Sequence, residues 1–158
     1  MKTFHFHDKL WLPHPRPAIF QFFSDAFNLE KITPPFLKFH VVTAPPIRMQ
    51  EGVEIEYRLK IHGIPARWRS RITVWDPPNR FVDEQLHGPY RLWIHEHRFA
   101  EDAGGTTCEH SVEYAPLGGT IINKLLVERD VRQIFAYRAE RLKDMYGLPP
   151  VTGPQKVA

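Results

Sequence analysis

This 158-residue chain has little cysteine and no long hydrophobic run. Cys108 is the single cysteine, which excludes an intrachain disulfide and a metal site built from several thiolates. No apolar run approaches the ~20 residues that span a bilayer, and the N-terminal stretch MKTFHFHDKLW lacks the apolar core of a signal peptide. We therefore expect a cytoplasmic protein without integral membrane association.

The chain also lacks a strong charge imbalance and the motifs of phosphate chemistry. Its net charge is +3 and its pI about 9.1, which is too weak a bias to indicate nucleic-acid binding. The paired glycines at 104–105 and 118–119 fit a turn and the start of a helix rather than a phosphate loop, and no nucleophile elbow is present. We expect neither a nucleic-acid partner nor a cofactor.

Apolar and aromatic residues, by contrast, are abundant enough to build a core. They make up 42% and 13% of the chain, which is typical of a folded domain. We expect a single domain over residues 1–148, a flexible tail over residues 149–158, and a monomer or homodimer.

Hydrophobic periodicity predicts one strand, two short helices, a series of strands and a long final helix. The first strand covers residues 3–12, Phe20, Phe23 and Phe27 recur at helical spacing, and a second short helix covers residues 29–32. The later elements are strands at residues 37–43, 53–61, 66–75, 81–86, 90–99 and 106–114, and a helix from Thr120, its cap, to Tyr146. Such a helix is the natural cover for the apolar face of one antiparallel sheet.

The strands at 53–61 and 66–75 form the clearest hairpin. A four-residue loop over 62–65 pairs Ile61 with Ala66, so that the apolar faces of both strands coincide. The same register places Arg58 opposite Arg69 on the outer face. We interpret that basic face as solvated; the alternative is an interaction domain that binds an anionic partner there.

The most informative stretch is FVDEQLHGPYRLWIHEHRF at residues 81–99. In its second strand Trp93, His95, His97 and Phe99 share one parity and therefore one face. Two imidazoles among large apolar rings suit neither a plain core nor a plain solvated surface. The pattern predicts the wall of a cavity for a partly polar ligand.

Several motifs carry a resemblance to a known family. They are NLE at 28–30, TPP at 33–35, WxPP at 75–78, FxDxQ at 81–85, GPYxxWxHxHxF at 88–99, VxYxPLG at 112–118 and IFxYR at 134–138. The chain resembles the START-like (SRPBCC) superfamily, and within it the polyketide cyclase/dehydrase-like, ligand-binding branch. It departs at His110, where similar sequences often carry an acidic residue.

The resemblance implies an α+β helix-grip fold. In that fold a curved antiparallel sheet, here of about six to seven strands, wraps around a long C-terminal helix, with two short helices after the first strand. It also implies a hydrophobic cavity between sheet and helix, without implying catalysis.

We therefore predict a protein that binds a small, mostly hydrophobic ligand, aromatic, polyketide-like or lipid-like. The expected apolar contacts are Tyr57, Trp68, Trp93 and Phe99, the polar contacts are Asp83, Gln85, His95, His97 and Arg138, and the family motifs add Tyr114 and Phe135. The alternative is a cyclase, dehydratase or aromatase in which Asp83, His95 and His97 are the candidate acid–base residues.

Three alternatives remain open at this stage. A three-residue turn places Asp83 opposite Trp93, which we favour, whereas a four-residue turn places Glu84 there. His95 and His97 are expected to hydrogen-bond within the pocket; a metal site with His110 or Asp83 as third ligand is the less favoured interpretation. Arg138 either extends to the helix edge or enters the cavity, where it would pair with Asp83 or a ligand carboxylate.

Overall fold

A computed structural model describes residues 1–150. The strands are β1 (Phe4–Leu12), β2 (His40–Val41), β3 (Glu54–Ile61), β4 (Ile64–Asp76), β5 (Arg80–His87), β6 (Tyr90–Asp102) and β7 (Gly105–Pro116). The helices are α1 (Arg16–Ser24), two 3₁₀ helices (Ala26–Ile32 and Pro35–Leu37), α2 (Gly119–Ile122), a π turn (Asn123–Val127) and α3 (Glu128–Tyr146). The flexible tail expected at 149–158 lies outside the described residues from 151 onward.

The seven strands form one antiparallel sheet in the order β1-β7-β6-β5-β4-β3-β2. Alternating burial along β3 and β7 shows that one face of the sheet is covered and that the other is more accessible to solvent. The covered face packs against the short helices and α3, which buries Val131, Phe135, Arg138 and Leu142. The predicted α+β helix-grip fold is therefore confirmed, and no helix among residues 1–150 is long and apolar enough to cross a membrane.

The final helix begins differently from the prediction. Thr120 was expected to cap it, but the residue before α2 is Gly118, with a left-handed φ of 89° and no side-chain cap. Glycine adopts this conformation without the steric penalty of a Cβ. The helix then runs to Tyr146 through the π turn, a local widening that a hydrophobic pattern does not reveal.

The β3–β4 hairpin closes more tightly than the predicted four-residue loop. His62 and Gly63, with φ values of 50° and 78°, form a two-residue turn in which Ile61 pairs with Ile64. Arg58 therefore lies opposite Arg67 rather than Arg69. Because the register moves by an even number of residues, both apolar faces still coincide.

Strand β5 settles the orientation of Asp83. Asp83 pairs with His95, and Glu84 pairs with Ile94, so neither predicted pairing with Trp93 is correct. The parity that we favoured is nevertheless right, because Asp83 shares its face with His95 and His97. The strand expected at 37–43 is shorter than predicted, since the second 3₁₀ helix occupies its first residue and β2 covers only His40–Val41.

Candidate functional site

A cavity of about 400 Å³ lies between the covered face of the sheet, the 3₁₀ helices and α3. Aromatic and aliphatic side chains make up most of its wall, and a few polar groups converge on one stretch of β5 and β6. The residues from our predicted set that line it are Tyr57, Trp68, Asp83, Trp93, His95, His97, Phe135 and Arg138. This combination is typical of sites for small organic ligands.

The other predicted contacts serve the fold. The side chain of Gln85 turns back to the β5–β6 turn, where its Nε2 donates to the Tyr90 carbonyl at 2.7 Å. Phe99 is 3% exposed and packs on Phe20 and Phe23, with ring centroids 5.4 and 5.2 Å away. Tyr114 is buried against Phe4 and Trp93. These three side chains belong to the supporting structure behind the cavity wall.

Asp83 and His97 form a close polar contact in the cavity. The Oδ2 atom of Asp83 lies 2.8 Å from Nε2 of His97 and 3.8 Å from Nδ1 of His95. Burial raises the pKa of Asp83 to about 7, and the positive charge of Arg138 partly offsets this. The carboxyl of Asp83 therefore gains or loses its proton near neutral pH while it stays in contact with His97.

Three buried histidines lie side by side at this point of the sheet. His110 of β7 pairs with His97, and its Nδ1 lies 3.2 Å from Nε2 of His95. Burial holds the pKa values of His95, His97 and His110 well below the ordinary range of histidine. The three rings are therefore neutral at physiological pH, each with one nitrogen that can donate and one that can accept.

The same three histidines have the spacing of a potential metal site. One nitrogen from each of His95, His97 and His110 lies within 4.8 Å of the others, so together they could supply three ligands. Arg138 carries a positive charge close enough to lower the pKa of all three, and this charge opposes a divalent cation. Hydrogen bonding to an organic ligand remains our interpretation of the cluster.

Arg138 faces the cavity rather than the edge of the helix. It is 9% exposed, lines the cavity, and its Cζ lies 4.9 Å from the centre of the Phe135 ring. Burial lowers its pKa, while the charges of Asp8 and Asp83 raise it. The choice that the sequence left open is thus resolved in favour of the cavity.

Perpendicular aromatic rings form the wall around Trp68. Its ring lies 5.2 Å from that of Trp93 at 87°, and 5.6 Å from that of Tyr90 at 62°. The indole Nε1 donates to the Ser70 hydroxyl at 3.0 Å, which fixes the ring without occupying the cavity. These edge-to-face contacts hold the aromatic rings of the cavity wall in fixed orientations.

Sequence reasoning missed the residues at the rim of the cavity. His62 and Asp130 both line it, and the His62 Nε2 atom lies 2.8 Å from Asp130 Oδ2, which joins the β3–β4 turn to α3. Phe36, from the second 3₁₀ helix, is 55% exposed although it lines the cavity. A phenylalanine directly after two prolines was the available signal in the sequence.

Solved structures with the same fold have low sequence identity. Protein Ms6760 from Mycobacterium smegmatis is 17% identical with a TM-score of 0.67, and 89% of each chain is covered. CV1439 from Chromobacterium violaceum is 13% identical with a TM-score of 0.69, covering 94% of this chain and 99% of that one. Ginseng major latex-like protein 151 from Panax ginseng is 10% identical with a TM-score of 0.69, covering 93% and 99%.

These likenesses show the fold alone, and no curated protein matches the sequence. A family model is more informative, because it matches residues 12–137 and so includes β3 to β7, the histidine cluster and the first half of α3. That model describes polyketide cyclases/dehydrases and lipid transport. The resemblance predicted from the motifs is therefore confirmed: this chain belongs to the polyketide cyclase/dehydrase and lipid-transport family of the START-like superfamily.

Proposed function

We propose that this protein binds a small, mostly hydrophobic organic ligand between its sheet and α3. The observation that carries the proposal is the cavity of about 400 Å³, with an aromatic and aliphatic wall interrupted by few polar groups. Ligand sites of this kind hold the ligand by apolar contact and orient it by a small number of polar contacts.

The wall indicates the class of ligand. Trp68, Trp93 and Tyr57 offer flat or elongated apolar contact, which suits a fused aromatic ring system or a lipid chain. Asp83, His95, His97 and Arg138 supply the polar contacts. Membership of a family described by cyclisation, dehydration and lipid transport supports a ligand of this character.

Titration with N-phenyl-1-naphthylamine tests the proposal. This neutral dye fluoresces strongly in apolar surroundings and is small enough for the cavity. We expect saturable binding with one dye per chain, accompanied by energy transfer from Trp68 and Trp93 to the dye. Fluorescence that increases linearly without saturation, or energy transfer that is lost only when the exposed Trp11 is replaced, would overturn the proposal.

A second candidate is catalysis by the Asp83–His97 pair. Their 2.8 Å contact faces the cavity, and the raised pKa of Asp83, about 7, is suited to proton transfer near neutral pH. Cyclisation and dehydration both need a proton moved at a carbonyl or at its α-carbon. The pair is thus a candidate acid–base group for either reaction.

Hydrogen–deuterium exchange of 1-tetralone tests this second function. If the pair abstracts an α-proton, the protein in D₂O accelerates α-deuteration of this bicyclic ketone, and His97→Gln abolishes the acceleration. Equal rates with wild type, His97→Gln and buffer would contradict catalysis and leave ligand binding as the function.

A further inference from the structure

We propose that the ligand carries an anionic head group, a carboxylate being the simplest, and that Arg138 binds it. This inference rests on the proposed function, because it specifies the chemistry of the ligand in the same cavity. It assigns to Arg138 the role of recognising one charged end of an otherwise apolar molecule.

The guanidinium of Arg138 is buried without a full set of partners. Arg138 is 9% exposed and lines the cavity, yet its Nε and Nη1 atoms donate to no hydrogen-bond acceptor among residues 1–150. An arginine has five N–H donors in a fixed planar arrangement. Burying such a group unpaired is unfavourable, so the structure is completed by a molecule that offers acceptor oxygens.

The neighbouring carboxylates do not accept hydrogen bonds from these Arg138 nitrogens. The Oδ2 atom of Asp83 is engaged by His97 at 2.8 Å. Asp8, which projects from β1, interacts with Arg138 by charge, but its buried Oδ1 atom also lacks a hydrogen-bond partner among the described residues. Neither carboxylate therefore forms the paired contact in which a guanidinium is best stabilised.

The histidines around the cavity add no negative charge, and the carboxylate of Asp130 at the rim is paired with His62 at 2.8 Å. His95, His97 and His110 are neutral, for the burial reasons given above. The face of the Phe135 ring, 4.9 Å from the Arg138 Cζ atom, supports one side of the guanidinium. A planar carboxylate matches the donor arrangement, whereas a cationic head group would be repelled.

Two dyes that differ by one charged group test the inference. N-phenyl-1-naphthylamine is neutral, and 8-anilinonaphthalene-1-sulfonate has the same ring framework with an added anion. The quantity to measure is the ratio of their dissociation constants, after competition has shown that they share one site. In Arg138→Gln the preference for the anionic dye should fall at least about tenfold, the usual effect of losing a charge-assisted hydrogen bond.

Two variants serve as controls. Arg132→Gln removes the same charge from α3 at a side chain that is 70% exposed, and should leave the ratio unchanged. Arg138→Lys keeps the charge without the planar fork and should give an intermediate ratio. Near-UV circular dichroism establishes that each variant is folded before its affinities are compared.

The outcomes separate this inference from the proposed function. If both dyes bind wild type and Arg138→Gln leaves their ratio unchanged, the anionic head group is wrong while the hydrophobic site stands. An equal effect of Arg132→Gln also overturns it, since the preference would then arise from overall charge. If neither dye binds wild type at a saturable site, the proposed function itself fails. Where the preference for the anionic dye is confirmed, competition with 2-naphthoate distinguishes a carboxylate from a sulfonate as the preferred anion.

Discussion

The carboxylate of Asp83 and the imidazole of His97 lie 2.8 Å apart across the β5–β6 pair. Both side chains line the cavity, where His95 stacks beside His97 with ring centroids 3.7 Å apart. The partly buried carboxyl of Asp83 loses its proton less readily than an exposed aspartate because low-dielectric surroundings disfavour isolated charge. The pair therefore places a titratable proton at the wall of the cavity.

The first prediction concerns the titration of Asp83. Its pKa should be about 7, because burial disfavours the carboxylate. Carbon-13 NMR of protein labelled at aspartate carboxyl carbons measures this value directly, and Asp83→Asn identifies the resonance. In Arg138→Gln the midpoint should move higher, because the positive charge that lowers it is removed. A midpoint near the ordinary value of aspartate, about 4, would contradict the described environment.

The second prediction concerns stability against pH. The folded-state pKa values of His95, His97 and His110 are depressed, so below about pH 6.5 the unfolded chain binds protons that the native protein does not, and stability falls with falling pH. The raised pKa of Asp83 acts oppositely between about pH 4 and 7, where the native state holds the extra proton. From pH 7.5 to 5.5 we expect a net loss of about 2 kcal/mol.

Urea unfolding at several pH values measures this dependence. His110→Asn removes one of the three depressed imidazoles, so its loss of stability over the same interval should be smaller by about 1.4 kcal/mol in total. A wild-type protein that is equally stable at pH 7.5 and 5.5, or a variant with an unchanged slope, would show that these histidines are not held neutral.

The third prediction concerns a substitution on α3 that fills the cavity. Ile134 is half-buried and lines the cavity, whereas its neighbour Gln133 is exposed. Ile134→Trp should lower the affinity for N-phenyl-1-naphthylamine at least about tenfold, or about 1.4 kcal/mol, because the larger ring occupies the space of the dye. Gln133→Trp adds the same side chain at an exposed position outside the cavity lining and should leave the affinity unchanged. Equal effects of the two substitutions would place the dye elsewhere.

The fourth prediction separates aromatic residues of the core from those that line the cavity. Phe99 packs among Phe20, Phe23 and Phe81, so Phe99→Ala should reduce the free energy of unfolding by about 3–5 kcal/mol. Phe36→Ala removes the same ring from a site that is 55% exposed, and should change stability by less than about 1 kcal/mol. Chemical denaturation compares the two. A small effect at Phe99 would mean that its ring is not part of the core.

The sequence was sufficient to predict the fold and which side chains of a strand share one face of the sheet. Side chains alternate with a period of two, so the shared face of Trp93, His95 and His97 follows from spacing alone. The actual register depends on turn geometry. His62 adopts a positive φ of 50°, which is uncommon for a residue other than glycine, and the pattern therefore predicted a longer loop.

The composition of the cavity wall was only partly predictable, because parity does not tell where along a strand the cavity ends. Phe99 shares the face of His97 but lies beyond the cavity, under α1. Gln85 has the parity of Asp83, yet its side chain binds the turn at Tyr90. The contact between His95 and His110 depends on the β6–β7 register, and Asp130 reaches the rim from α3. Such meetings of distant segments require the three-dimensional structure.

The most direct test of the central claim is native mass spectrometry of the purified protein before and after addition of N-phenyl-1-naphthylamine. The account predicts either a co-purified organic mass that the dye displaces, or a single added dye per chain, and it predicts that Ile134→Trp weakens both. A chain that stays at its bare mass in the presence of the dye would contradict ligand binding. A stoichiometric metal mass lost in His95→Ala would show that the histidine cluster binds a cation instead.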